Sequence, residues 1–320
     1  MALMKKITQL VLMTTLLMAF QDNPPANLRE IVSPFQLLTA SSDWTLKSKI
    51  KPDFEIFHTQ GMVKIDNHFF VSAVEVLEPT ETYAKSDNLW DSALTRTPGK
   101  GRGWLFKMDE YGKLLDKVEL TNGNTYHPGG IDFDGEYIWV PVAEYRPNSE
   151  SDIYRIDPAT MHATLAFHVS DHVGTIIHNP ERGTFHGSSW GSRRVYRWVV
   201  DVEPDGEGVI NEELWHPNPS HYIDYQDCHY QGENFMLCGG VKNYSSPNGD
   251  MALGGIELID TENVVPVLLH TLPVNIYWNN GMAITNNPFW MEEMDGLLRF
   301  YFLPDQDGEA ELLTYEVARP

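Results

Sequence analysis

A five-fold repeat of one loop-and-strand pattern is the feature that most constrains what this sequence can fold into. In each repeat a short polar loop leads into an apolar strand, and a turn and a second strand follow. The loops begin the segments 57–62, 126–131, 171–176, 223–228 and 277–282. Self-similarity of this kind is typical of architectures in which each unit packs against its neighbours.

The second repeat shows the pattern best. Its Asp134-Gly135 pair lies between two runs of β-branched and aromatic residues, and such a pair predicts the tight turn of a β-hairpin. Second strands are predicted at 69–75, 137–144, 184–190, 235–241 and, after an insertion, 297–303. Third strands are predicted at 103–109, 152–157, 194–198, 255–260 and 311–317, and a fourth strand follows in the first four repeats.

Four antiparallel strands repeated five times predict an all-β fold, a five-bladed β-propeller. The fifth repeat ends after three strands because the sequence ends at Pro320, and the segment 44–50 is predicted to supply its missing strand. A six-bladed propeller is the alternative count. A tandem of immunoglobulin-like domains or a large sandwich is less consistent, since neither explains why the same polar loop recurs.

The N-terminus carries the pattern of a secretory signal peptide. Lys5 and Lys6 precede an apolar run over 7–20, and a polar stretch with two prolines follows. We therefore expect a signal peptide over 1–20 with cleavage near Ala19, a linker over 21–42, and one propeller domain over 43–320. The mature protein is expected to be secreted or periplasmic. A buried N-terminal helix is the alternative for the apolar run.

The charge balance restricts the partners. The sequence has 23 basic and 45 acidic residues, a formal charge of -22, and this field repels phosphate backbones and anionic membranes. We expect no nucleic-acid partner, no membrane association of the mature form, and a monomer that binds a small molecule.

The two cysteines, Cys228 and Cys238, flank the turn of one predicted hairpin. This position places them nearly opposite each other, so a cross-strand disulfide is sterically possible in an oxidising compartment. Two buried free thiols are an equal alternative, because cysteine is also a common small core residue.

A candidate site follows from the geometry of a blade. The loop before the first strand and the loop after the second strand lie on one face of the disc, around the channel mouth. The first set of loops supplies three imidazoles and a carboxylate, which are ligand types of zinc, manganese or iron. We predict a divalent metal ion, one of these three rather than calcium, held by His58, His127, His172 and Asp224.

Two further groups of residues are predicted on the same face. Glu75 and Glu144 close their second strands and are predicted to be catalytic, as the general base or as further ligands. The predicted substrate-binding residues are Arg146, Arg193, Trp190, Gln60 and Asn280. Two alternatives stay open: a metal-free polar pocket, and histidines that only satisfy hydrogen bonds in crowded inner strands. The arginines could equally pair with nearby acids.

The run 127–147 and the run 188–193 together resemble an uncharacterised family of secreted propeller proteins, known as a domain of unknown function. The resemblance spans most of the chain after about Trp44 and implies the fold without an activity. More distantly, the layout is similar to that of lactonase and gluconolactonase propellers, whose central metal is held by Glu, Asn and Asp on a six-bladed ring. Here histidines occupy the equivalent positions of the repeats, and five blades are counted. Neither calcium nor lactone chemistry therefore carries over.

The sequence therefore predicts an exported five-bladed propeller with a His and carboxylate site at the mouth of its channel. Metal-assisted hydrolysis or lyase chemistry on a small molecule, which could be an anion, fits these residue types. A non-catalytic ligand-binding or scaffold propeller is the alternative.

Overall fold

The computed structural model of the chain describes residues 28–81, 96–203, 206–247, 249–263, 265–278, 281–294, 296–304 and 309–319. The predicted signal peptide at 1–20 and the predicted substrate-binding residue Asn280 lie outside the described residues. None of the described helices is long and apolar enough to cross a membrane.

The described residues are almost entirely β-structure. One α-helix, α1 (Leu28–Gln36), precedes the strands, and short 3₁₀ helices occur at Trp190–Ser192 and Ile284–Asn286. The strands are β1 (Trp44–Ile50), β2 (His58–Ile65), β3 (His68–Glu78), β4 (Lys100–Asp109), β5 (Leu114–Glu119), β6 (Thr125–Pro128), β7 (Asp132–Phe133), β8 (Ile138–Glu144), β9 (Ser151–Ile156), β10 (Ala163–Val169), β11 (Val173–Asn179), β12 (Thr184–Ser189), β13 (Arg194–Asp201), β14 (Val209–Pro217), β15 (Asp224–Tyr230), β16 (Phe235–Ser246), β17 (Gly249–Asp260), β18 (Val267–Pro273), β19 (Phe289–Met294), β20 (Leu297–Phe302) and β21 (Leu312–Ala318).

These strands form five antiparallel sheets, which are the blades of a five-bladed β-propeller. In order from the inner edge, blade 1 is β2-β3-β4-β5, blade 3 is β11-β12-β13-β14 and blade 4 is β15-β16-β17-β18. Blade 2 has an inner edge divided between β6 and β7, followed by β8, β9 and β10. The predicted fold is confirmed, and the alternative of six blades is wrong.

Blade 5 is closed by the N-terminal strand. Its order is β19-β20-β21-β1, and β1 pairs antiparallel with β21 from Trp44 opposite Val317 to Ile50 opposite Leu312. The strand that the sequence assigned to complete the last blade therefore does so. A ring closed in this way leaves no unpaired edge where the two ends of the chain meet.

The inner strand of blade 5 does not lie where the sequence repeat predicted it. The segment 277–282 was predicted to open this strand, but the backbone turns there, with the Trp278 N–H donating to the Met282 carbonyl at 2.8 Å. The inner strand is β19, and β19 joins β20 through a tight turn rather than through an insertion. Gly296 in that turn has a φ of 85°, and the sequence signal was the Asp295-Gly296 pair, the same signal that marks the hairpin of blade 2.

The hydrophobic core lies between neighbouring blades, where the faces of adjacent sheets pack together. Part of the predicted linker 21–42 contributes to it, because α1 places Ile31, Val32 and Phe35 in the cluster shared by blades 4 and 5. His270 of β18 donates from Nε2 to the Leu38 carbonyl at 2.9 Å. The end of this segment is therefore docked against the ring.

The inner strands approach one another closely at the centre of the ring. Gly130 donates its N–H to the Gly174 carbonyl at 2.8 Å, and Ile176 donates back to the Gly130 carbonyl at 3.3 Å. An added Cβ on Gly129 would lie 2.2 Å from the Gly174 oxygen, so only glycine fits there. The glycines that follow His127 therefore bring blade 2 against blade 3 and form the floor beneath the channel mouth.

Cys228 and Cys238 form a disulfide across the first hairpin of blade 4, with Cα atoms 4.1 Å apart. This geometry decides between the two alternatives that the sequence left open.

Candidate functional site

A cavity of about 240 Å³ lies at the channel mouth, where the inner strands begin. Blades 1 to 4 all contribute to it, through the loops before their inner strands and the loops after their second strands. The lining residues are His58, Gln60, His127, Gly129, Tyr145, His172, Gly174, Ser189, Trp190, Gly191, Asp224, Tyr225 and Gln226. The structure thus brings together six of the predicted site residues: His58, His127, His172, Asp224, Gln60 and Trp190.

His127 and His172 come from neighbouring blades and lie side by side. Their ring centroids are 5.8 Å apart, and both side chains are buried. His127 lies on β6, and its Nδ1 has no hydrogen-bond partner among the described residues. His172 precedes β11, and its Nδ1 lies 2.8 Å from the Glu144 carbonyl oxygen.

These contacts define the protonation of His172. A carbonyl oxygen can only accept a hydrogen bond, so Nδ1 of His172 carries the proton. Burial lowers the pKa of His172, although the Glu144 carbonyl and the Asp171 charge oppose this effect. The ring is therefore neutral near pH 7, and in this tautomer Nε2 is the unprotonated ring nitrogen.

His127 is neutral for the same physical reason. Burial lowers its pKa well below 6.5, and positive charge on His172 or His58 would lower it further. The third imidazole, that of His58 at the start of β2, lines the same cavity. The cavity therefore holds three clustered imidazoles, of which two are buried and uncharged.

Asp224, predicted as a metal ligand, is engaged by two cations. Lys242 Nζ donates to its two carboxylate oxygens at 2.8 and 2.9 Å, and Arg193 Nη1 donates to Oδ1 at 3.2 Å. Asp224 is the only carboxylate among the described residues that line the cavity. The predicted substrate-binding residue Arg193 therefore lies at the rim, bound to Asp224.

The predicted catalytic carboxylates do not line this cavity. The carboxylate of Glu144 pairs with Arg146, another predicted substrate-binding residue. That of Glu75 accepts from Trp104 Nε1 at 3.1 Å and lies 3.5 Å from Arg102 Nη1. Both carboxylates are engaged by residues of their own blade, and their catalytic role stays a prediction. The contribution of Glu144 to the site, through its carbonyl oxygen, could not be read from its side-chain type.

Aromatic side chains form one wall of the cavity. Tyr145 stacks on His127 with centroids 4.1 Å apart, and Trp190 meets His172 edge to face at 4.8 Å. Tyr145 and Trp190 are 5.8 Å from each other. Above this wall the guanidinium carbon of Arg96 lies 5.8 Å from the Trp190 ring centroid.

Sequence reasoning missed three lining residues, Tyr145, Ser189 and Tyr225. Tyr145 directly follows Glu144, and Ser189 directly precedes Trp190, so both lie next to residues that the comparison of the repeats selected. Including the neighbouring residue on each side of every selected position would have found them. Tyr225 follows Asp224 on an inner strand, and no separate sequence signal indicated that it would line a site.

The spacing of His127 and His172 is compatible with a shared metal ion, but among the described residues the full set of ligands is not in place. Two imidazoles that share a tetrahedral zinc, with Zn–N distances of 2.0 to 2.1 Å, place their ring centroids about 5 Å apart. The 5.8 Å between His127 and His172 is close to this value. As the side chains stand, no group of three or more His, Cys, Asp or Glu in the described ranges is arranged to hold a metal.

A second cavity, of about 350 Å³, lies on the other side of Glu144. It is lined by Asn122, Asn124, Thr125, Glu144, Glu150, Asp152, Leu165, His168 and Glu207. Asp152 is already satisfied there by Asn122, Thr125 and His168. Glu144 thus lines an acidic cavity and contacts a residue of the imidazole cavity, His172, through its carbonyl oxygen.

The fold and this site define a β-propeller protein with a polar cavity at the mouth of its ring. The chain belongs to a family of unknown function, DUF6454, whose family model matches residues 24–320. This match confirms the resemblance to an uncharacterised propeller family. No curated protein sequence matches the chain.

Several solved structures are similar to this chain over most of its length. A luciferin-regenerating enzyme is 13% identical, with 86% of this chain and 95% of that chain covered and a TM-score of 0.44. The periplasmic gluconolactonase PpgL of Pseudomonas aeruginosa is 12% identical, with 82% and 88% covered and a TM-score of 0.36. The tail fiber of Staphylococcus aureus phage P68 is 8% identical, with 91% and 56% covered and a TM-score of 0.43. Their named activities are properties of those proteins.

Proposed function

We propose that this propeller is a metal-dependent enzyme, a hydrolase or a lyase, that acts on a small molecule bound at the channel mouth. His58, His127 and His172 would hold a divalent ion such as zinc, manganese or iron. Bound there, such an ion would act as a Lewis acid and would lower the pKa of a water molecule.

The observation that carries the proposal is the state of the two buried imidazoles. Metal-binding histidines usually donate their second ring N–H to a carbonyl or carboxylate, which fixes the tautomer and the ring orientation. His172 makes this contact with the Glu144 carbonyl, and in that tautomer its Nε2 is the unprotonated ring nitrogen. His127 has a buried nitrogen without a hydrogen-bond partner in the part of the chain that the structure describes, and such an atom costs free energy unless a ligand satisfies it.

The remaining residues have supporting roles in this proposal. Glu144 orients His172 through its carbonyl oxygen, and the turn that follows it places Tyr145 over His127. This turn is held by the Arg146 N–H, which donates to the same carbonyl at 2.7 Å. Trp190 and Gln60 line the space in which the substrate would lie.

A non-catalytic ligand-binding propeller is the second candidate. The observation in its favour is that Glu75 and Glu144, the carboxylates suited to general-base catalysis, are engaged outside the cavity. In that case the same cavity would bind its ligand without turnover.

Elemental analysis tests the metal. Purified protein exposed to Zn²⁺, Mn²⁺ and Fe²⁺ in turn and then desalted should retain about one equivalent of one ion. His127→Ala and His172→Ala should lose it, whereas His162→Ala should keep it, because His162 is exposed and outside the cavity. Wild-type protein that retains no ion of the three would overturn the proposal. Retained metal without hydrolysis or elimination across a panel of small esters, amides and hydroxy acids would favour the ligand-binding candidate.

We also propose that the chain is exported, on the basis of the signal-peptide pattern at 1–20. The Cys228–Cys238 disulfide supports an oxidising compartment. Intact mass measurement of the expressed protein should show removal of about the first 20 residues. A full-length mass from the soluble cell fraction would contradict export.

A further inference from the structure

Among the described residues, cations outnumber carboxylates at the rim of the cavity. Asp224 contributes one negative charge, and it is shared by Lys242 and Arg193, so this cluster carries a net positive charge. Arg96 adds a third cation above Trp190.

This concentration of positive charge opposes the character of the whole protein. The chain has only 23 basic residues against 45 acidic ones. Three of these cations nevertheless contact residues that line a single cavity, two at Asp224 and one at Trp190, and Asp224 is the one carboxylate among the described lining residues. A site of this kind selects an anion at short range, because arginine and lysine bind carboxylates through charge-assisted hydrogen bonds.

The aromatic wall defines the rest of the ligand. Tyr145 and Trp190 present flat, largely apolar surfaces next to the cations. The cavity of about 240 Å³ exceeds the roughly 150 Å³ that suffices to bind benzene in an engineered protein core. A planar body of one ring therefore fits between the rim and the imidazoles.

We propose that the ligand of this cavity is a small organic carboxylate, with its carboxylate group held by Lys242, Arg193 and Arg96 and its body against Tyr145 and Trp190. This inference rests on the proposed function in that it assigns a substrate class to the same site. It adds Lys242 and Arg96 to the residues that determine specificity.

Calorimetric titration with benzoate and with its neutral isostere benzamide tests the inference. At low ionic strength, with protein that has been stripped of metal by a chelator and then desalted, benzoate should bind at least about tenfold more tightly than benzamide, and this preference should shrink as salt is added. Lys242→Met should weaken benzoate binding by about tenfold and leave benzamide binding unchanged. Lys242→Arg should retain the preference, which separates a lost charge from a misfolded variant. Arg197→Met, at a cation that pairs with Glu212 on blade 3, is the matched control and should bind benzoate as the wild type does.

Equal affinity for the two probes, or unchanged benzoate binding in Lys242→Met, would overturn the carboxylate assignment. Absence of binding by both probes would overturn it as well. Because the protein has been stripped of metal beforehand, these outcomes do not depend on the metal. Elemental analysis of Lys242→Met should still show the metal content of the wild type, so failure of the metal proposal and failure of this one are distinguishable.

Discussion

At the scale of single residues, the centre of the ring is held together by one buried histidine and two buried aspartates. His229 of β15 lies 3.4 Å from Asp227 and 3.5 Å from Asp132, and its Nε2 donates to the Phe289 carbonyl at 2.7 Å. Asp227 in turn accepts the backbone N–H groups of Met62 and Ile131. These three side chains therefore join the inner strands of blades 1, 2, 4 and 5.

Replacing His229 should be strongly destabilising. His229→Gln removes the only cation of the cluster and leaves two carboxylates that are 1% exposed or less without compensation. We expect a loss of about 3–5 kcal/mol in the free energy of unfolding, the usual effect of breaking a buried ion pair. Urea denaturation measures it, with the exposed His162→Gln as a control that should change stability by less than about 0.5 kcal/mol. A loss below 1 kcal/mol would show that the cluster does not hold the ring.

The same cluster should make stability fall as pH rises. Burial by itself lowers the pKa of His229, but the negative charges of Asp227 and Asp132, 3.4 and 3.5 Å away, raise it to about 10. The folded state therefore binds this proton more tightly than the unfolded state does, where the pKa is about 6.5. The stabilisation is complete below pH 6.5 and is lost as pH rises through 10, with a slope of up to about 1.4 kcal/mol per pH unit.

Asp132 acts in the same direction at lower pH. Burial raises its pKa to about 6 from the usual 3.8, in spite of the opposing effect of His229. Its contribution is therefore present below pH 3.8 and is lost by about pH 6. Urea denaturation of the wild type between pH 6.5 and 10 should show the decline expected from His229. A flat profile over that range would contradict the assignment.

At the scale of elements, glycine residues set how closely the inner strands approach. The Cβ of an alanine at 129 would lie 2.2 Å from the Gly174 carbonyl oxygen, and neither backbone can yield without breaking the contact between blades 2 and 3. At position 174 the nearest atoms would be 3.7 Å away, an ordinary contact.

We therefore expect Gly129→Ala to cost at least about 1–3 kcal/mol of unfolding free energy, and Gly174→Ala to cost less than about 1 kcal/mol. Chemical denaturation of the two variants compares residues that face each other across the same contact. Equal stability of the two variants would mean that the inner strands can separate at this point.

The hairpin β15–β16 is also joined covalently. Cys228 and Cys238 are ten residues apart in sequence, and closing a loop of this size stabilises a fold by about 2–3 kcal/mol. Cys228→Ala with Cys238→Ala should lower the unfolding free energy by about that amount, as should reduction of the wild type. If a reductant shifts the denaturation midpoint of the double variant as far as that of the wild type, the disulfide is not the cause.

At the scale of the whole molecule, the ring is closed by pairing the beginning of the propeller with its end. Trp44 of β1 packs on Phe300 of β20, with centroids 4.7 Å apart, and reaches Phe302 and Tyr315 as well. The contact joins residues more than 250 positions apart, so one side chain helps to hold the two ends of the ring together.

Trp44→Ala should lower the unfolding free energy by about 2–4 kcal/mol, because it removes a large aromatic side chain from the closing seam. Trp215→Ala is the matched control. Trp215 is 51% exposed and contacts Arg194 on the surface of blade 3, so its loss should cost about 1 kcal/mol or less. Similar losses in the two variants would indicate that ring closure does not depend on the seam.

The architecture was predictable because a blade is encoded locally. Alternation of apolar and polar residues, β-branched strands and turn signals such as Asp134-Gly135 act over a few residues, and they repeat. The one misplaced strand lies in blade 5, where the loop pattern at 277–282 was given more weight than the Asp295-Gly296 turn. The same locality predicted that Cys228 faces Cys238, without deciding whether they bond.

The amino-acid sequence by itself thus determined the five blades, the strand that closes them and the face on which His58, His127 and His172 meet. Only the tertiary structure decided which partner each polar group has. Asp224 pairs with Lys242 and Arg193, Glu144 serves His172 through its carbonyl oxygen, and Asp227 joins strands of other blades. The physical reason is that hydrogen bonds and ion pairs act over about 3 Å, so which groups lie within that distance depends on how the blades pack around the ring.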